Sequence, residues 1–100
     1  MAQIDDILRY LGQPYVIKSI DLEPVVYRLL NGFEFEVSGL HKRKLDCTVY
    51  VWMTSPHREL VGIYSDIKDK DDLKDLLGYC SVKYRNLLSR IQVEREDQIK

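Results

Sequence analysis

The chain has 100 residues, which is enough for one compact hydrophobic core and too few for two independent ones. Fifteen basic and sixteen acidic side chains give a net charge of −1, so no overall field favours nucleic acid or an anionic membrane surface. The first residues lack the basic and apolar regions of a signal peptide, and no apolar run reaches the length of a membrane span. We therefore expect one cytoplasmic domain over residues 1–100, with no membrane contact.

The first predicted element is a short helix within residues 1–12. Four aliphatic residues recur at helical spacing on one face: Ile4, Ile7, Leu8 and Leu11. Gly12 then supplies a helix stop, and Pro14 follows it. Because a helix this short is marginal alone, its aliphatic face must pack on the rest of the fold or on a partner chain.

Residues 15–64 predict an antiparallel meander of three to four strands. The run 15–20 is β-prone but short, and we expect it at a sheet edge, because Pro24 interrupts its continuation. Asn31 and Gly32 separate two β-prone runs, which is the signature of a type I′ hairpin, since both turn positions need positive φ. The turn predicts these cross-strand pairs: Leu30 with Phe33, Arg28 with Phe35 and Val26 with Val37 on one face, and Leu29 with Glu34 and Tyr27 with Glu36 on the other.

The rest of the predicted sheet follows a charged loop. The alternating run 45–53 turns its aliphatic residues to one side and its aromatic residues to the other. The last strand, 59–64, alternates as well, and we expect Val61 and Ile63 to share its core face. The aliphatic sides of these strands together predict one buried sheet face.

The strongest helical pattern in the chain spans residues 69–92. Apolar residues recur there at spacings of three and four, which predicts a buried stripe about six turns long. The stripe consists of Leu73, Leu76, Leu77, Cys80, Tyr84, Leu87, Leu88 and Ile91. Asp69 with Asp72 is an acidic variant of a capping box at the helix start, and residues 93–100 predict a frayed tail. The expected fold is α+β, with this helix packed on one face of the sheet.

Reaction chemistry has no recognisable signature in the sequence. His41 and His57 fall in predicted loops without the carboxylate or thiolate spacing of a metal site. Cys47 and Cys80 fall in a predicted strand and helix, and we interpret both as reduced core residues. We therefore expect no enzyme, no cofactor, no metal and no small-molecule substrate. One route to catalysis stays open, a site assembled across a homodimer interface, and no residue is assigned to it.

Aromatic residues collect on the predicted sheet face that points away from the long helix. The candidates are Tyr27, Tyr50, Trp52 and Tyr64. A half-buried antiparallel sheet normally carries polar residues there, so these rings need a cover. Either the N-terminal segments fold over the face, or a protein partner, including a second copy in a homodimer, binds to it. The second alternative predicts a small non-enzymatic interaction module that acts as a regulator or inhibitor.

A basic loop supports a competing hypothesis. Lys42, Arg43 and Lys44 lie together in the loop 41–44, and cations beside stackable aromatic rings are typical of single-stranded nucleic acid binding. Two acidic residues on the predicted aromatic face would repel phosphate. Nucleic-acid binding is therefore the alternative function, and protein binding is the preferred one.

The overall character of the chain also favours a binding function. In its small size, near-neutral charge and lack of a catalytic signature, it resembles the accessory proteins of bacterial phages and mobile elements. Many of those proteins bind and inhibit a larger host protein. The resemblance implies an interaction with a protein and assigns no role to any residue.

Overall fold

A computed structural model describes residues 3–54 and 57–98, with side chains for residues 3–54 and 57–85. The elements in chain order are α1 (Gln3–Leu11), β1 (Val16–Ile20), β2 (Glu23–Leu30), β3 (Phe33–Ser38), β4 (Cys47–Met53), β5 (Glu59–Ile67) and α2 (Lys70–Gln98). The fold is α+β as predicted, with five strands instead of three or four. In the described part of the chain, no helix has the length and apolar character needed to cross a membrane.

The sheet is an antiparallel meander with β3 at its centre, in the order β1-β2-β3-β4-β5. All five cross-strand pairs predicted from the Asn31-Gly32 turn are present between β2 and β3. Asn31 has φ 42° and Gly32 has φ 90°, the positive values that this turn requires. The hairpin and its register are therefore confirmed.

β1 lies at the edge of the sheet, as predicted, and it joins β2 through a hairpin that has no sequence signature. β1 and β2 are joined at Asp21 and Leu22, which have φ values of 51° and 68°. Positive φ costs a residue with a Cβ atom about 1 kcal/mol, so this pair of residues does not predict a tight turn. β1 ends at Ile20, so the predicted short strand does not continue, and Pro24 itself lies inside β2, opposite Ser19. As the second residue of β2, it is close to the strand start, where proline is tolerated.

The last strand departs from regular alternation. The register of β5 against β4 shifts by one residue at Val61, which forms a β-bulge. Val61 packs against the core, but Ile63 lies opposite Tyr50 on the side away from the helices. Tyr64 is turned to the helix side. The placements predicted for Ile63 and Tyr64 are wrong, because the added residue inverts the alternation after it. A second register shift then returns Ile67 to the core side, opposite Cys47.

Both helices lie on the same side of the sheet, which we call the inner face. The core residues of α2 are at most 2% exposed, namely Leu73, Leu77, Cys80 and Tyr84. α1 adds Ile4 and Ile7 to the same cluster, and the Tyr10 hydroxyl donates a hydrogen bond to Asp71 at the start of α2. The alternative in which α1 folds over the aromatic residues is therefore wrong. We call the opposite side the outer face. Its strand residues include Val16, Lys18, Tyr27, Leu29, Glu34, Glu36, Tyr50, Trp52, Leu60 and Ile63.

α2 begins at a carboxylate cap and is longer than predicted. The Asp69 carboxylate accepts hydrogen bonds from the backbone N–H groups of Asp71 and Asp72, at 2.7 and 3.3 Å. The helix continues through residues 93–98, which contain no glycine or proline, so the predicted frayed tail is helical to Gln98. Residues 99–100 lie outside the described residues. The side chains of Leu87, Leu88 and Ile91 from the predicted stripe also lie outside them.

Candidate protein-binding face

The outer face brings together three of the four predicted contact residues. Tyr27 comes from β2, and Tyr50 and Trp52 come from β4. Tyr27 and Tyr50 both lie directly opposite Glu36 of the central strand, so they flank it from the two sides. Trp52 lies opposite Glu34, two residues along the same strand. The hairpin register and the alternation of β4 are sufficient to place all three rings on this side.

Four aliphatic side chains of the outer face are well exposed. Leu29 is 62% exposed, Ile63 56%, Val16 52% and Leu60 37%. Sequence reasoning missed the last three as site residues. Pairing with β2 places Val16, the bulge in β5 places Ile63, and Leu60 lies before the bulge, opposite Trp52. Apolar side chains grouped on one uncovered face mark contact sites more often than isolated exposed residues do.

A charged cluster borders the aromatic residues at one end of the outer face. The Arg58 guanidinium lies 4.1 Å from the centroid of the Trp52 ring, and its Nη2 lies 3.5 Å from Oε2 of Glu34. This arrangement combines a cation–π contact with an ion pair. The Trp52 indole N–H is buried and has no acceptor among the described residues. Arg58 is a further residue that the sequence analysis did not assign to the face.

Glu36 occupies the centre of the outer face. Its carboxylate makes no hydrogen bond and no ion pair with the described residues, although the side chain is partly buried between the rings of Tyr27 and Tyr50. Burial raises the pKa of Glu36 above its ordinary value. The positive charge of Arg58 opposes this shift, and the negative charge of Glu34 adds to it. On the β1 side, the Lys18 ammonium lies 4.3 Å from the Tyr27 ring centroid.

Tyr64, the fourth predicted contact residue, belongs to the inner face. Its hydroxyl lies 3.0 Å from the Tyr84 hydroxyl and 3.4 Å from the Lys83 ammonium. A Cβ atom at Gly62 would overlap the Tyr84 hydroxyl, so the glycine provides the space for that ring. Tyr64 therefore helps to anchor α2 on the sheet and is removed from the candidate face.

The basic loop is at the far end of the sheet from Trp52. Lys42, Arg43 and Lys44 are exposed in the segment that joins the end of β3 to the start of β4. Trp52 is five residues beyond the first residue of β4, or about 16 Å at roughly 3.3 Å per residue. The carbonyl oxygen of Lys42 accepts a hydrogen bond of 2.9 Å from Nε2 of Gln3. The fold thus separates the loop from the largest ring of the outer face.

Comparison with known proteins gave no match. No family model matches the chain, and no curated protein and no solved structure is significantly similar to it. The assignment of a function therefore depends on the residues of this chain.

The two histidines lie near glutamate side chains, and the two cysteines lie in the core. His41 Nδ1 lies 3.7 Å from Glu23, and His57 Nε2 lies 3.6 Å from Glu59. Both cysteines are buried and free, and burial raises the pKa of Cys47 to about 11, which keeps its thiol protonated at neutral pH. Among the side chains of residues 3–54 and 57–85, no group of histidine, cysteine or acidic side chains is arranged to hold a metal ion.

Proposed function

We propose that the protein is a small non-enzymatic interaction module that binds another protein chain through its outer face. One observation carries the proposal: four exposed aliphatic side chains lie among three aromatic rings, on a sheet side that the described helices leave uncovered. Tyrosine and tryptophan are typical anchors of protein interfaces, since they bury a large rigid area and keep a polar tip. Tyr27, Tyr50 and Trp52 are the proposed anchors.

The distribution of charge supports a protein partner over nucleic acid. Glu34 and Glu36 lie within the outer face, where they repel phosphate groups. The basic loop lies at the other end of the sheet. We further propose that the module regulates or inhibits its partner in the cytoplasm, a setting in which two free cysteines are ordinary.

The test removes exposed apolar area from the outer face without disturbing the core. A Leu29→Ser, Ile63→Ser double variant changes two side chains that are more than half exposed, so its melting temperature should stay close to that of the wild type. Val82→Ser is the matched control, because Val82 is 59% exposed on α2, on the opposite side of the sheet. Self-association is measured by light scattering on a sizing column, and partner binding by quantitative capture from a lysate.

We expect the double variant to weaken association by about tenfold or more, since the loss of two apolar contacts is worth more than 1.4 kcal/mol. The control variant should bind as the wild type does. If the double variant retains full association, or if Val82→Ser weakens it equally, the outer face is not the binding surface.

A further inference from the structure

Glu36 is the one charged group of the outer face that makes no hydrogen bond, ion pair or cation–π contact with the described residues, and only the more distant charge of Arg58 attracts it. It lies on β3, the central strand, with an aromatic ring on each neighbouring strand. Directly opposed side chains in an antiparallel sheet have Cβ atoms about 5 Å apart, so both rings are within contact distance of its stem. A carboxylate that is partly removed from water and left without a partner raises the free energy of the unbound protein.

The other charges of this face are already engaged. Arg58 pairs with Glu34 and stacks on Trp52. Lys18 lies over Tyr27. Two cations are therefore held over rings of the same face, which indicates that its aromatic residues accept basic side chains. Neither cation forms an ion pair with Glu36.

We propose that Glu36 is the counter-ion for an arginine or lysine side chain that a different protein presents to the outer face. This inference rests on the proposed function of that face. The basic side chain enters with its aliphatic stem between Tyr27 and Tyr50 and its charged end at the Glu36 carboxylate. Apolar residues of the partner cover Leu29 and Ile63 around it.

Charge complementarity decides between this occupant and the others. A second copy bound face to face would bring Glu34 and Glu36 toward the same carboxylates of its neighbour. Of its two cations on this face, Arg58 is paired with Glu34 and Lys18 lies over Tyr27. A nucleic acid would bring phosphates to the same acidic residues. A cationic side chain within an apolar surface complements both features of the face.

The experiment uses random dodecapeptides displayed on phage and selected on the immobilised full-length chain. Clones that also bind the Leu29→Ser, Ile63→Ser variant are discarded, so that the remaining peptides depend on the outer face. These peptides are then measured against the wild type, Glu36→Gln and Glu59→Gln. Glu59→Gln is the matched control, because it removes the same charge at a residue opposite Met53, on the inner side of the sheet edge.

We expect lysine and arginine to be enriched over the starting library. Glu36→Gln should weaken binding of the selected peptides by about tenfold or more, the usual worth of a charge-assisted contact. Glu59→Gln should leave binding unchanged. Replacing the basic peptide residue by norleucine should weaken binding to the wild type and have little further effect on Glu36→Gln.

Two results would overturn this inference and leave the proposed function intact. In the first, outer-face peptides are recovered without basic enrichment or bind Glu36→Gln as well as the wild type. In the second, the chain dimerises through the outer face and Glu36→Gln strengthens the dimer, which makes a second copy the occupant. Failure to recover any peptide that depends on Leu29 and Ile63 would count against both proposals.

Discussion

Phe35 on the inner face of the sheet is completely buried, whereas Leu29 and Ile63 on the outer face remain more than half exposed. All three are apolar residues of the same five-stranded sheet. The difference comes from the two helices, which both pack on the inner side. An apolar strand residue therefore predicts that a cover is needed, and the tertiary arrangement decides whether the chain itself supplies that cover.

The largest expected effect is the difference in stability loss between an aromatic residue replaced on the inner face and one replaced on the outer face. Phe35→Ala removes a fully buried ring that meets Tyr84 edge-on, at a centroid distance of 6.2 Å, and should lower the free energy of unfolding by about 3–5 kcal/mol. Trp52→Ala, on the neighbouring strand but the outer face, should cost about 1–2 kcal/mol, mainly through its contact with Arg58. Urea unfolding measures both values.

If Phe35→Ala does not fold, Phe35→Leu gives a smaller change that stays measurable. An equal loss of stability for the two aromatic residues would mean that Trp52 belongs to the core, and the distinction between the faces would fail.

An intermediate effect tests how closely α2 packs on the inner face. Gly62→Ala places a methyl group against the Tyr84 hydroxyl and should destabilise the protein by about 1–3 kcal/mol. Ile63→Ala, the next residue but on the outer face, should change stability by no more than about 0.5 kcal/mol.

Tyr84→Phe removes the overlapping oxygen and also the hydrogen bond to Tyr64. A double-mutant cycle should therefore show that Gly62→Ala costs less in the Tyr84→Phe background. Additive losses would indicate that the hydroxyl does not limit the space at Gly62.

The smallest expected effect concerns pH and the outer face. Because burial raises the pKa of Glu36, the folded state binds its proton more tightly than the unfolded state does. The stability that this group contributes is fully present below its pKa in the unfolded chain. It is lost as the pH rises through the higher pKa of the folded protein. Glu36→Gln should remove this part of the pH dependence and stabilise the protein at neutral pH by about 0.5 kcal/mol or less. Denaturation curves of both proteins between weakly acidic and neutral pH measure the difference, and identical pH profiles would contradict it.

Local patterns predict much of this fold. The Asn31-Gly32 turn determines the whole register between β2 and β3, because both residues favour positive φ. The apolar spacing of α2 correctly identifies its buried residues as far as Tyr84. The turn at Asp21 and Leu22 could not be predicted, since leucine strongly disfavours the positive φ that it adopts here.

The candidate face was predictable in part. Tyr27, Tyr50 and Trp52 follow from strands with regular alternation, so counting by twos places them correctly. Ile63 and Tyr64 follow a bulge, and counting by twos places both on the wrong side. Val16 joins the face only through the strand pairing that the unexpected hairpin creates.

The sequence by itself determined the α+β class, the central hairpin and the set of residues that must leave water. These features depend on local backbone preferences and on the spacing of apolar side chains, which are properties of short segments. Only the tertiary structure decided that α1 joins α2 on the inner face, and that the bulge in β5 turns Ile63 to the outer one. Both outcomes depend on contacts between segments far apart in the chain, and such contacts leave no periodic trace in the sequence of either segment.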